Sequence, residues 1–132
     1  MPTRPKPDWI LIANTTRARV LQQEPGNAMV VLESFVHPAG RGLRTEPLID
    51  ARQKECTRFA HELAQFLEQE ARQGHFGCLT LFASASFLED LRASLGKVTM
   101  RLLSGTHELD LTNVGVAELE RRVSHELALS AH

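Results

Sequence analysis

The sequence predicts an α/β fold: a five-stranded mixed sheet, in the order β-β-β-α-β-α-β-α, with helices covering it. Three observations lead there. The first third of the chain carries three short β-type runs separated by turn residues, which suits an antiparallel meander. After residue 50 the apolar spacing switches to three and four, the period of an amphipathic helix. Beyond that, strand-like runs alternate with helix-like ones, the pattern of strands joined through crossover helices.

Taken in order, "WILIAN" (9–14) is nearly all apolar, as a central strand buried on both faces should be. "RARVLQ" (17–22) follows "TT" and alternates cationic or polar with apolar residues before the turn residues "EPGN". "MVVLESFV" (29–36) is rich enough in β-branched and aromatic residues for a third strand. Across 50–73, Cys56, Phe59, Ala60, Leu63, Phe66, Leu67 and Ala71 line one helix face. Asp50 and Gln53 have capping-box spacing, and Gly74 suits a left-handed stop. "CLTLFA" (78–83) reads as an interior strand. "SFLEDLRASLG" (86–96) opens with Ser86 and Glu89 in capping-box spacing and closes on Gly96. "KVTMRLL" (97–103) reads as a short helix, "THELDL" (106–111) as a strand. In 113–129, Val116, Leu119, Val123 and Leu127 form one helical stripe. A meander whose second strand runs antiparallel, followed by these crossovers, is the ribonuclease H-like motif. Residues 1–7, with three prolines, read as a flexible arm, and 8–132 as a single domain.

The chain has 132 residues, 42% of them hydrophobic and 23% charged, with a net charge of -1. That composition suits a domain with a real core and excludes a disordered or strongly basic chain. No apolar run approaches the roughly 20 residues a membrane span needs, so no membrane insertion is expected. The opening "MPTRPKPDW" lacks an apolar signal core, which points to a cytoplasmic location. Cys56 and Cys78 lie in apolar patterns and read as buried thiols rather than a disulfide.

The segment "FVHPAGRGLRTEPLID" (35–50) has no clean periodicity and is longer than most connections, which run about four to six residues. A loop of that length in a compact domain is usually functional or disordered. His37 and Pro38 set its geometry at the exit from the third strand, and Gly40 and Gly42 leave the backbone free for close approach to a ligand.

No catalytic motif fits. Two-metal phosphoryl transfer needs carboxylates a few ångströms apart, one of them inside the first strand. Here that strand holds only apolar residues between Asp8 and Asn14, a weaker, neutral ligand for hard cations, and the fourth strand has no acid. "HELA" occurs at 61–64 and 125–128, but a zinc-binding helix needs a second His where Gln65 and Leu129 stand. Nucleophile elbow and phosphate-binding loop are both missing, and the sequence implies neither metal nor cofactor. A residual hydrolase would have to use His37 with Asp50 or Glu55, although a His-Pro step reads more simply as a turn.

What remains is cationic. Residues 1–58 carry an excess of Lys and Arg and residues 59–132 an excess of Asp and Glu. Arg17 and Arg19 share one face of the second strand, the loop adds Arg41 and Arg44, and the following helix adds Arg52. Together they are the candidate contacts to a phosphate backbone. The rival reading is ordinary solvated charge, with Arg17 and Arg19 paired to neighbouring acids. With one Trp and no Tyr, platforms for stacking bases are scarce, which argues against sequence-specific single-strand recognition.

The series "WILIANTTRARVL", "FVHPAGR", "CTRFAHELAQFLEQ", "LTLFASASFLEDLR" and "HELDLTNV" resembles the bacterial host attachment protein family over about residues 8–129. That family is similar in fold to the middle domain of eukaryotic and archaeal class 1 release factors. The resemblance implies that 35–50 occupies the place of the Gly-Gly-Gln loop, which enters the ribosomal peptidyl transferase centre. "GRGLRTE" has neither adjacent glycines nor the Gln, so release activity is not expected to carry over. Asn14 stands where relatives often have Asp, and Leu109 where a Lys often precedes Asp-Leu-Thr. The expectation is a non-catalytic domain whose partner is the ribosome or a structured RNA. The alternative is a protein-interaction module, working through a protein partner or as a homodimer, that acts indirectly in attachment.

Overall fold

A computed structural model describes residues 6–23, 29–36 and 49–130; the side chains of 49–56, 116 and 127–130 are outside that description. The elements run β1 (Asp8–Ala13), β2 (Arg17–Gln23), β3 (Val30–Val36), α1 (Ile49–Arg72), β4 (Cys78–Ala83), α2 (Ala85–Ser94), α3 (Lys97–Leu102), β5 (Leu103–Glu108) and α4 (Val116–Ser130). The strands form one sheet in the order β3-β2-β1-β4-β5. β1 is antiparallel to β2 and parallel to β4, β2 is antiparallel to β3, and β4 is parallel to β5. This is the ribonuclease H-like arrangement, with β2 the one reversed strand.

Strand alternation divides the interior into two cores. On one face Trp9, Leu11, Ala13, Ala18 and Val20 pack against the apolar stripe of α1 (Phe59, Leu63, Leu67) and against Phe87 and Leu91 of α2. Trp9 stacks on Phe76 at a centroid distance of 4.6 Å, and its indole N–H donates to Gln22 Oε1 at 3.0 Å. On the other face Ile10, Ile12, Leu21 and Phe82 pack with Leu119 and Val123 of α4. Burying one such aliphatic side chain stabilises by about 1.5–3 kcal/mol. The apolar run of β1 is therefore explained by a helix on each side of it.

α1 ends where the sequence places its stop: Gly74 takes φ +76, a conformation that costs a side-chain-bearing residue energy. The two residues ahead of β1 are tied down, with Lys6 lying against Gly74 and Gly77 and the Pro7 carbonyl accepting from Gly77 N at 3.0 Å. Of the segment read as an arm, residues 1–5 lie outside the described set.

Four local expectations are corrected. The last strand runs from Leu103 to Glu108 rather than through 111, because Asp110 and Thr112 turn the chain with their side chains. The Ser86–Glu89 capping box does not form: α2 starts one residue earlier, with Ser84 as an extended N-cap that makes no side-chain bond. Gly96 does not close α2, whose C-cap is Leu95; it is the N-cap of α3. Cys78 opens β4 as a free, half-buried cysteine instead of a fully buried one.

Candidate functional site

In open α/β sheets, ligand-binding groups gather at the carboxyl ends of the parallel strands. Here that edge holds Asn14 after β1, Ser84 after β4 and Asp110 just past β5. β2 begins there with Arg17, whose cross-strand partner is Val36, the last residue of β3. The described part of β3 therefore ends directly beside Arg17.

Asn14 organises this edge with every polar atom of its side chain. Its Oδ1 accepts from the N–H of Thr16 (2.9 Å), the Thr16 hydroxyl (3.0 Å) and the N–H of Arg17 (3.0 Å), which closes the β1–β2 turn. Its Nδ2 donates to Asp110 Oδ2 at 3.1 Å and to the Thr112 hydroxyl at 2.8 Å. The Thr112 hydroxyl donates in turn to Asp110 Oδ1 at 2.6 Å, and the Thr112 N–H donates to the same oxygen at 3.0 Å. Burial pushes the Asp110 carboxyl up. The Thr112 and Asn14 donors and the Arg17 charge outweigh that and hold it below the usual carboxylate range.

This arrangement explains an amide at position 14. A carboxylate there would face Asp110 at about the distance of a hydrogen bond with no proton to share. The pairing also consumes Asp110, so the carboxylate beside Asn14, at the far end of the first strand from Asp8, serves as an acceptor within a turn. Among the described residues no group of three or more His, Cys, Asp or Glu is placed to hold a metal ion.

The arginines have different fates. Arg17 and Arg19 share a face, as strand alternation requires, but not an environment. Arg17 is exposed at the edge, close enough to Asp110 to lower its pKa. Arg19 is half-buried and donates through Nη1 to the Val114 carbonyl at 3.1 Å, tying β2 to the turn before α4. Arg52 lies in the first turn of α1, a helix packed on the opposite face of the sheet from Arg17 and Arg19; its side chain is outside the described residues. His37, Pro38, Gly40, Arg41, Gly42 and Arg44 also lie outside the described residues. His61 and Glu62 of the first "HELA" are exposed on α1.

The residues that sequence reasoning missed are Asp110 and Thr112. Their signal is an Asp-x-Thr turn motif, since short polar side chains bond to backbone two residues on. Their long-range partner Asn14 carries no such signal.

A family model described as "Protein required for attachment to host cells" matches residues 43–123. No curated protein sequence matches the chain. Among solved structures, an archaeal translation termination factor, aRF1, is similar over 95% of this chain and 40% of its own, at 12% identity and a TM-score of 0.58. A second structure, described as an archaeal protein, is similar over 96% of this chain and 40% of its own, at 16% identity and a TM-score of 0.49. The Aquifex aeolicus Ppx/GppA phosphatase is similar over 76% of this chain and 35% of its own, at 10% identity and a TM-score of 0.43. The chain thus spans about two-fifths of the length of the termination factor, with which it shares a fold. The family match extends over more than half of the sequence, and the chain belongs to the family of proteins required for attachment to host cells.

Proposed function

We propose that this chain is a non-catalytic, cytoplasmic domain that associates with the ribosome or a structured RNA, and that its part in host attachment is indirect. The observation that carries the reading is that β3 ends at Val36, the cross-strand partner of exposed Arg17, on a fold shared with a translation termination factor. Arg17, Arg41 and Arg44 are the phosphate contacts in this reading, and Gly40 and Gly42 allow close approach. Arg19 supports the edge from behind through its bond to Val114. Asp110 at the same edge is committed to holding the turn, with Asn14 as its amide partner.

Binding to purified ribosomes and to a structured RNA over a salt series tests the proposal. Neutralising Arg41 and Arg44 together is expected to weaken binding and to flatten the dependence of log affinity on log salt. The slope should fall by about 1 for every phosphate that the protein no longer touches. Absence of binding at low salt removes the reading.

A further inference from the structure

Beyond that reading, the geometry points to the free edge of β3 as a docking site for one extended, apolar and basic segment of a partner protein, added to the sheet as a sixth strand. β3 is terminal in the sheet order, so half of its backbone N–H and C=O groups face outward. Natural edges are usually blunted by Lys, Pro, bulges, shortness or a covering element. β3 runs seven residues, "VVLESFV", without Lys, Arg or Pro, and its one charge is Glu33. A bulge where Leu32 falls between the pairs Val20–Glu33 and Leu21–Val31 is its one interruption.

The side chains point the same way. Of the five large hydrophobic residues exposed among those described, Val30, Val31, Leu32 and Val36 all lie on β3; Val36 is 64% exposed. The opposite edge, β5, exposes none of that class: its His107 stacks on Phe82 at 4.6 Å and Leu103 packs against the core.

Area and charge decide the occupant. The four side chains offer on the order of 200 Å² of apolar surface. A stable dimer buries about 800 Å² on each partner. In a symmetric pairing of two β3 strands centred on Glu33, the two Glu33 carboxylates would also face each other, which is unfavourable. A single extended segment matches both constraints. Main-chain bonds supply its affinity, β-branched side chains on its two faces cover Val30 on one side of the sheet and Val31 and Val36 on the other, and a Lys or Arg stands opposite Glu33.

The test uses the full chain and a capped nonapeptide alternating Val and Thr, with Lys at its centre, read by backbone amide shifts and amide hydrogen exchange. The expected result is saturable shifts confined to β3 and β2 with slower exchange of β3 amides. N-methylation of alternate peptide bonds, Val36→Lys or Leu32→Lys should each weaken binding at least tenfold, with circular dichroism and Tm of the variants unchanged. A peptide with Glu at the centre should bind about two- to fivefold more weakly. Absence of saturable shifts, shifts centred elsewhere, or binding indifferent to N-methylation overturns the proposal. So does sedimentation showing that β3 is already occupied by a second copy. Ribosome or RNA binding unchanged in Leu32→Lys, which lies at the bulge away from Arg17, is expected, and this keeps the site separable from the arginine edge.

Discussion

The carboxylate of Glu68, four residues before the end of α1, is the N-terminal cap of a different helix, through Thr99. Its Oε1 accepts from the Thr99 N–H at 3.0 Å and from the Thr99 hydroxyl at 2.9 Å, while Oε2 accepts from the Val98 N–H at 3.4 Å. Arg72 Nε closes the group with a 2.9 Å bond to Oε2. α3 is too short to stand alone, and its own N-cap, Gly96, has no side chain to offer. A helix two elements away supplies what the local sequence lacks.

The Thr99 backbone donor is the largest influence on Glu68, and with Arg72, the Thr99 hydroxyl and Val98 it overcomes burial and lowers the carboxyl from 4.5 to about 2. A depressed carboxyl pKa stabilises the fold above the unfolded value and loses that contribution as pH falls through the folded one. The stabilisation is therefore complete above about pH 5 and fades between 4.5 and about 2. Glu68→Gln is expected to lower the unfolding free energy by about 1–3 kcal/mol at pH 7. Urea denaturation at pH 7 and pH 3 checks it: the gap between the two proteins should narrow in acid. Arg72→Ala, which removes a more exposed partner, should cost under about 1 kcal/mol.

Gly96 carries the steric counterpart. Its φ of -77 is open to any residue, so the constraint is not conformational. A Cβ there would overlap the Glu68 carboxylate. Gly96→Ala is expected to destabilise by about 1–3 kcal/mol. In a Glu68→Ala background the same substitution should cost much less. A double-mutant cycle with a coupling energy near zero would refute the contact.

These two residues show what a linear pattern can and cannot display. The apolar run 9–13, the three-and-four spacing of Phe59, Leu63 and Leu67, and Gly74 as a stop are local consequences of burial and backbone geometry, and all are legible in the sequence. Glu68 reads as one more polar residue on an amphipathic helix because its partner lies 31 residues on. Gly96 reads as punctuation but for the wrong helix, since a glycine at a boundary does not say which side needs it. Asn14 reads as a weak metal ligand, whereas its role comes from Asp110, 96 residues away. The false strand end at 109–111 has the same origin: alternation continues through Asp110–Leu111, but Thr112 and Asn14 bend the chain out of the sheet.

Asn14→Asp tests that clasp. The substitution replaces a donor facing Asp110 by a second carboxylate, and two such groups in contact cannot both ionise cheaply. A loss of about 2–3 kcal/mol is expected at pH 7. Because the pair raises the pKa of one carboxyl in the folded state, the penalty is present above that raised value and disappears as pH falls through it. Thermal unfolding of Asn14→Asp and Asn14→Ala from pH 7 to pH 4 separates the cases. The Asp variant should recover stability relative to the wild type on acidification, whereas the Ala variant should not.

Arg17 and Arg19 stand two residues apart on one strand and should nevertheless answer to different assays. Arg17 is exposed beside Val36, the end of β3, and its favourable field on Asp110 acts near the surface, where screening keeps it small. Arg17→Gln is expected to change stability by no more than about 0.5 kcal/mol. If the edge contacts RNA, the same change should reduce the salt slope of binding by about 1. Arg19→Gln withdraws a charged donor from the Val114 carbonyl, which holds the turn leading into α4. That should cost about 1–2 kcal/mol of stability and leave the salt slope unaltered. The comparison is decisive because both substitutions remove one positive charge from the same strand. A slope that falls equally in both would mean that net charge, and not the exposed position of Arg17, governs the interaction. A slope that falls in neither would leave Arg17 a solvated residue and withdraw it from the proposed phosphate contacts.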